Sequence, residues 1–250
     1  MQSIPSHTGE KRLISFIVPA YDEESLIGAT LDSLHAAAKA LNEPYELVVA
    51  DDASTDGTAV LAERHGARVV SVAHRQIAAT RNSGARAATG ELFIFVDADT
   101  IVNEAVVRAA IDVLRGGAVG GGASVEFDTD VPWYAKALMP VFAWTYRALD
   151  LAAGCFLFCS RDAFEAVGGF DEAFFGAEEI VMSRALRNYG RFVVLKQAVT
   201  TSGRKLRTHS LVEVLKILAR MALRGTQAIK QRHGMELWYA KRRPDPRKNS

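Results

Sequence analysis

Cysteine is nearly absent: Cys155 and Cys159 are the two in a chain of 250 residues. They stand four apart in the apolar run Cys155-Phe-Leu-Phe-Cys159, where a strand would put them on one face too far apart for an easy disulfide. Neither has a histidine nearby, so they make a poor metal site, and a disulfide-stapled secreted scaffold is excluded. Core packing in a reducing compartment is the expectation. Long hydrophobic runs are missing too, since no stretch approaches the roughly twenty apolar residues that span a bilayer. The first eleven residues are polar, lack the apolar segment of a secretory signal and are expected to be disordered. These absences together predict a cytoplasmic location. Net charge is only +1 and gives no sign of a nucleic-acid partner.

That neutrality hides a division. Residues 203–250 carry thirteen Lys or Arg against Glu213, Glu236 and Asp245, a balance of +10, which leaves −9 for everything before them. An acidic body therefore precedes a basic tail. An apolar content of 49% with 24% charged residues supports a sizeable core, in one large domain or one domain with an appendage.

The first hundred residues alternate two periodicities. Leu13–Val18 reads as a strand stopping at Pro19, Glu24–Leu41 as a helix, Glu46–Ala50 as a strand and Thr58–His65 as a helix. A strand over Arg68–Val72, a helix over Ala78–Ala88 and a strand over Leu92–Val96 follow. Strands apolar on both faces and separated by helices predict an α/β fold, with a mostly parallel central sheet flanked by helices. Beyond Asp99 the pattern predicts helices over Asn103–Leu114, Trp133–Leu149, Asp162–Val167 and Glu178–Tyr189. Strands are expected near Ala123–Phe127, Leu157–Phe158 and Arg191–Leu195, and a long basic helix over Leu211–Ile229. The expected division is a domain over 12–200, with halves meeting near residue 100, and a basic helix and tail over 201–250.

In open α/β sheets, ligands bind outside the carboxyl ends of the strands. Polar residues crowd those ends here: Pro19-Ala20-Tyr21 after the first strand, Asp51-Asp52 after the second, Asp97-Ala98-Asp99 after the fourth. Four carboxylates in one crevice repel unless a cation or hydrogen-bond donors stand among them. A hard divalent ion shared with phosphate oxygens resolves the conflict, because Mg²⁺ takes one or two carboxylates plus phosphates. A nucleotide diphosphate is the ligand this predicts.

Taken in order, Val18–Glu24, Val49–Thr58, Ala79–Gly84 and Val96–Asp99 resemble four signatures of the family 2 glycosyltransferases, which have the GT-A fold. Gly168-Gly-Phe-Asp-Glu172 and the pair Glu178-Glu179 resemble that family's later elements. The resemblance implies inverting transfer of one sugar from a nucleotide-diphosphate sugar, UDP favoured, to an acceptor hydroxyl, with a lipid-linked or cell-envelope glycan as one acceptor class. It implies that Pro19, Ala20 and Tyr21 line the base pocket, Tyr21 offering a ring face, and that Glu23 contacts the nucleotide. Asp52 would accept from the base, with Asp51 as a substitute. Arg81 would face the phosphates or donor sugar, Asp97-Ala98 would hold ribose or sugar, and Asp99 would coordinate Mn²⁺ or Mg²⁺. Glu179 takes the place of the family's catalytic aspartate, one methylene longer, and Glu178 is the alternative base. The Gln-x-x-Arg-Trp motif of the processive synthases is absent, so single addition is expected.

Several of these residues have simpler uses. Asp56 or Thr55 can cap a helix, and Glu178-Glu179 at a helix start can favour its macrodipole. Gly168-Gly169 read as turn glycines, with Asp171 either beside the acceptor or not. His209 and His233 fit a structural role better than a third metal ligand. Trp133, Trp144 and Tyr146 are core aromatics or acceptor platforms. The basic tail is either a solvated amphipathic helix on the body or a contact with an anionic membrane surface. Two other functions stay open: a sugar nucleotidyltransferase, which would usually open with a glycine-rich signature not found here, and an inactive nucleotide- or sugar-binding module.

Overall fold

The computed structural model describes residues 11–128 and 151–208, together with 131, 132, 134, 136, 137, 144, 149, 213, 230–232 and 239. Its first half runs β1 (Ile14–Ala20), α1 (Ile27–Leu41), β2 (Tyr45–Asp52), α2 (Thr58–Arg64), β3 (Arg68–Val72), α3 (Ile77–Ala87) and β4 (Leu92–Val96). The second half runs β5 (Thr100–Ile101), α4 (Glu104–Arg115), β6 (Gly120–Phe127), β7 (Phe156–Ser160), α5 (Arg161–Ala166), α6 (Glu178–Tyr189), β8 (Phe192–Thr201) and α7 (Arg204–Thr208).

All eight strands join one sheet in the order β3-β2-β1-β4-β7-β6-β8-β5. Four of its seven pairings are parallel: β1 with β2 and β4, β2 with β3, and β6 with β8. β7 runs antiparallel between β4 and β6 and joins the two halves. The central strands are buried on both faces, as their unbroken apolar runs require. Phe16, Val18, Leu47 and Ile94 face one layer with Leu31 and Leu34 of α1 and Val107 and Ile111 of α4. Ile17, Val48, Phe93 and Phe95 face the other with Ala78 of α3, Phe164 of α5 and Leu186 of α6. Each fully buried Leu, Ile or Phe contributes about 1.5–3 kcal/mol, so these two layers carry most of the stability.

Local chemistry explains several boundaries. Asn103 caps α4 by accepting from the Val106 amide at 2.9 Å, and Arg115 sits in the last turn where a cation is favoured. Gly120-Gly121-Gly122 in β6 is a matter of space. A Cβ on Gly121 would lie 2.1 Å from the Val193 carbonyl oxygen, so β6 meets its neighbours too closely for any side chain.

The structure corrects some expectations. β1 does not stop at Pro19 but continues to Ala20; pairing with β4 ends at Ile17, so only the β2 flank is still paired where proline stands. α1 begins at Ile27 instead of Glu24, because Glu24 is engaged elsewhere: its amide donates to Asp56 and its carboxylate accepts from the Gly57 amide. β8 extends well past Leu195, its exposed Lys196 and Gln197 concealing a strand that pairs with both β6 and β5. Trp144 is 72% exposed and is not a core residue. Trp133, Tyr146, His209, His233, the first ten residues and most of the helices expected over 133–149 and 211–229 lie outside the described residues. No helix among the described residues is long and apolar enough to cross a membrane.

Candidate active site

The parallel half aligns the carboxyl ends of its strands. Ala20 pairs with Asp51, and Ile17 pairs with Phe95, so Asp52, Asp97 and Asp99 all emerge at the same edge. The segment after β4 is pinned on both sides: the Asp97 amide donates to the Cys155 carbonyl at 3.2 Å, and the Ala98 carbonyl accepts from Thr30 at 2.9 Å. Ala98 is itself buried in the core, so it contributes backbone position and not a ligand surface.

A small cavity opens beside β1, lined by Pro19, Ala20, Tyr21, Asp52, Arg75, Ile77, Thr80 and Tyr239. Asp52 organises it. Its Oδ1 accepts from the Arg75 amide at 2.8 Å, and its Oδ2 from the Gln76 amide at 3.1 Å and the Thr80 hydroxyl at 3.0 Å. A carboxylate set against the amides just ahead of α3, and against Thr80 in its first turn, compensates the positive end of that helix. Each carboxylate oxygen has two acceptor directions, and Oδ1 has filled one with these bonds. The Arg75 guanidinium lies 3.5 Å over the Tyr21 ring, a cation–π contact.

Arg81 is the hub of the second part of the site. It is 1% exposed and donates to Glu178 at 2.7 Å, Asp97 at 2.8 Å and the Gly154 carbonyl at 2.8 Å. Its Nε is buried without a partner. Burial alone would lower its pKa, but Asp97, Glu178 and Glu179 outweigh that and hold it above the ordinary arginine range. One guanidinium thus faces three carboxylates, and the surplus falls on Glu179. Burial first, then the charge of Glu178, push Glu179 up to about 8, against the weaker pull of Arg81. Burial also raises both cysteine thiols, Asp97 and Asp99 adding to the shift at Cys155, so these buried groups stay neutral.

Asp99 is 9% exposed, and its carboxylate accepts a long hydrogen bond, 3.5 Å, from the Thr201 hydroxyl. Its carbonyl accepts from the Ser202 amide at 3.0 Å, which docks the end of β8 onto the edge. No group of three His, Cys, Asp or Glu among the described residues forms a complete metal cage. A single hard carboxylate with spare acceptor capacity still fits a divalent ion that takes its other ligands from phosphate and water.

Two residues of the expected site are already engaged. Both oxygens of Glu23 accept from Arg204 Nη2, at 2.6 and 2.7 Å, and its amide donates to Thr58. Glu23 therefore ties the β1–α1 turn to α7. Arg81 is turned toward carboxylates, away from the small cavity that it does not line. Several functional neighbours were not anticipated. Asn82 bonds both the amide and the carbonyl of Phe170 at 2.9 Å and reaches Glu172, while Gln76 donates to the Glu172 and Phe174 carbonyls. These two hold the loop that opens with Gly168 and Gly169, both at positive φ, and leads to Glu178. Asp171 turns back to the Ala173 amide within that loop. Arg204 and Arg207, part of the basic tail expected either to be solvated or to meet an anionic membrane, are buried or half-buried partners of Glu23 and Asp128. Asn82 lies within the Ala79–Gly84 motif, which is a signal in the sequence; Arg204 has none.

The model of the family Glycosyl transferase family 2 matches residues 15–168, more than half of the chain. This chain belongs to that family. A validoxylamine A glucosyltransferase of Streptomyces hygroscopicus subsp. jinggangensis is 26% identical over 239 residues, covering 75% of this chain and 54% of the relative. A glucosyl-3-phosphoglycerate synthase of Mycolicibacterium paratuberculosis is 38% identical over 106 residues, 36% of this chain and 29% of the relative. The chain spans about half the length of the first of these. In fold it is similar to a mannosyltransferase of Pyrobaculum calidifontis in complex with GDP-Man and Mn²⁺, with a TM-score of 0.66 and 22% identity, covering 86% of this chain and 62% of the other. A glucosyl-3-phosphoglycerate synthase of Mycobacterium tuberculosis, in complex with Mn²⁺, UDP and glucosyl-3-phosphoglycerate, gives 0.55 at 21% identity over 85% and 77% of the two chains. The GT-A fold is thereby shown. The family 2 match ends at Gly168, so Glu178, Glu179, β8 and α7 rest on the geometry above.

Proposed function

We propose that this chain transfers one sugar, with inversion, from a nucleotide-diphosphate sugar to an acceptor hydroxyl. The observation that carries the reading is Glu179: a carboxyl pushed up to about 8, beside the Arg81–Asp97 pair and at the same sheet edge as Asp99 and the Asp52 cavity. A general base is most effective when its pKa lies near the working pH. Glu178 is committed to Arg81 at 2.7 Å, which favours Glu179 as base and leaves Glu178 to position the arginine.

In this reading Pro19, Ala20, Tyr21 and Asp52 receive the base, with UDP favoured among donors. Asp97, fixed by Arg81, orients the ribose or the donor sugar. Asp99 holds Mn²⁺ or Mg²⁺, and the bound ion supplies Lewis-acid stabilisation for the charge that develops on the diphosphate. The acceptor proton passes to Glu179, the acceptor oxygen bonds to the anomeric carbon, and the bond from that carbon to the diphosphate oxygen breaks, its electron pair leaving with the nucleotide. Relatives in fold were solved with GDP-Man, with UDP-GlcNAc and with UDP, which supports a nucleotide-sugar donor and leaves the base to experiment.

The test is release of nucleoside diphosphate from UDP-glucose, UDP-GlcNAc and GDP-mannose with Mn²⁺ present, with and without simple sugar acceptors. Release from at least one donor is expected. No release from any, together with pyrophosphate release from UTP or GTP and a sugar phosphate, would move the chain to the nucleotidyltransferases.

A further inference from the structure

Tyr239 enters the cavity beside Asp52 from the far end of the chain. Its hydroxyl oxygen accepts from the Ile77 amide at 3.4 Å, and its ring edge meets Phe175 with centroids 5.9 Å apart. Arg232 lies over the Tyr239 ring at 5.5 Å, and Lys230 over Phe174 at 5.0 Å. Lys230, Arg232 and Tyr239 therefore grip the loop that leads to Glu178 and Glu179, and Tyr239 reaches past it into the cavity. Burial pushes the Tyr239 hydroxyl up to about 12, so no ordinary change of pH expels the ring by charging it.

The remaining space decides what the ring does. With Tyr239 in place the cavity measures about 70 Å³, less than half of the roughly 150 Å³ in which a benzene ring fits. Arg75 at the same time covers the Tyr21 face. We propose that Tyr239 is an internal plug of the nucleotide pocket, its ring standing on the ground that a base takes, and that it withdraws when a nucleoside diphosphate binds. This rests on the donor-pocket reading above. Its contacts to Phe175 and Arg232 would then link donor entry to the loop ahead of the base.

Calorimetric titration of UDP and GDP, each with Mn²⁺, into the full chain and its variants tests the plug. Apparent affinity scales with the fraction of open pocket, so Tyr239→Ala is expected to bind its nucleotide about tenfold more tightly than the unaltered chain. Tyr239→Phe keeps the ring and gives up only a long bond, so it should stay within about twofold. Arg232→Ala, outside the cavity, should shift affinity the same way by a smaller factor and serves if Tyr239→Ala fails to fold. Unchanged or weaker binding in the alanine variants overturns the plug, weaker binding marking the ring as a wall that holds the base. If neither nucleotide binds the unaltered chain or any variant, the donor-pocket reading itself fails and the plug with it.

Discussion

Glu46 and Glu179 stand at opposite edges of one sheet and are shifted in opposite directions. Glu46, at the amino end of β2, accepts on one oxygen from the Ser15 hydroxyl, the amide and hydroxyl of Thr89 and the Gly90 amide, while Arg68 reaches the other at 3.2 Å. Burial alone would raise it, yet these donors hold it down at about 2. Glu179 shares one buried guanidinium with two other carboxylates, and burial pushes it up to about 8. At the amino edge the charge of Glu46 is met and the carboxylate serves the fold; at the carboxyl edge negative charge is left over around Arg81, which is what a cationic or proton-bearing ligand can use.

The sharpest way to break this contrast is Glu179→Gln. Losing the base should lower kcat by about 10²–10⁴-fold with nucleotide binding retained, measured by steady-state kinetics beside calorimetry. In the unaltered enzyme kcat should fall as pH drops below about 8, because the base must be unprotonated. Stability runs the other way. A carboxyl raised in the folded state favours folding fully below its unfolded value near 4.5, and that contribution is lost as pH rises through about 8. Melting curves between those limits should therefore fall with pH, and the glutamine variant should fall less.

Arg81→Met should come next, costing about 3–5 kcal/mol in denaturant unfolding, since it strands Glu178 and Asp97 without a counter-charge. Adding Glu178→Met should recover part of the loss. Glu46→Gln should cost less, about 1–3 kcal/mol, and leave kcat unchanged. The Glu46 contribution is present above about 4.5 and lost as pH falls toward 2, the reverse of the limb expected from Glu179.

The sequence made the parallel half legible because its strands are buried on both faces and read as unbroken apolar runs ending in polar residues. The second half was harder. β5 is two residues long, and β8 carries Lys196 and Gln197 in its middle, where its pairing with β6 shifts register between Val194 and Ala198. In the site, the carboxylates could be gathered at one edge from strand order alone. Their partners could not. Whether Arg81 turns to a ligand or to Asp97 and Glu178 depends on a salt bridge spanning nearly a hundred residues, and Glu23 meets Arg204 across an even longer separation. No local pattern encodes either contact.

The proposed transfer depends on Asp99 holding an ion whose coordination the nucleotide completes. Titrating Mn²⁺ into the protein, with free ion followed by its electron paramagnetic resonance signal, tests that directly. The signal should fall markedly only when UDP or GDP is also present, and Asp99→Ala should abolish that fall. Equal uptake of Mn²⁺ and nucleotide by Asp99→Ala and the unaltered chain would contradict it.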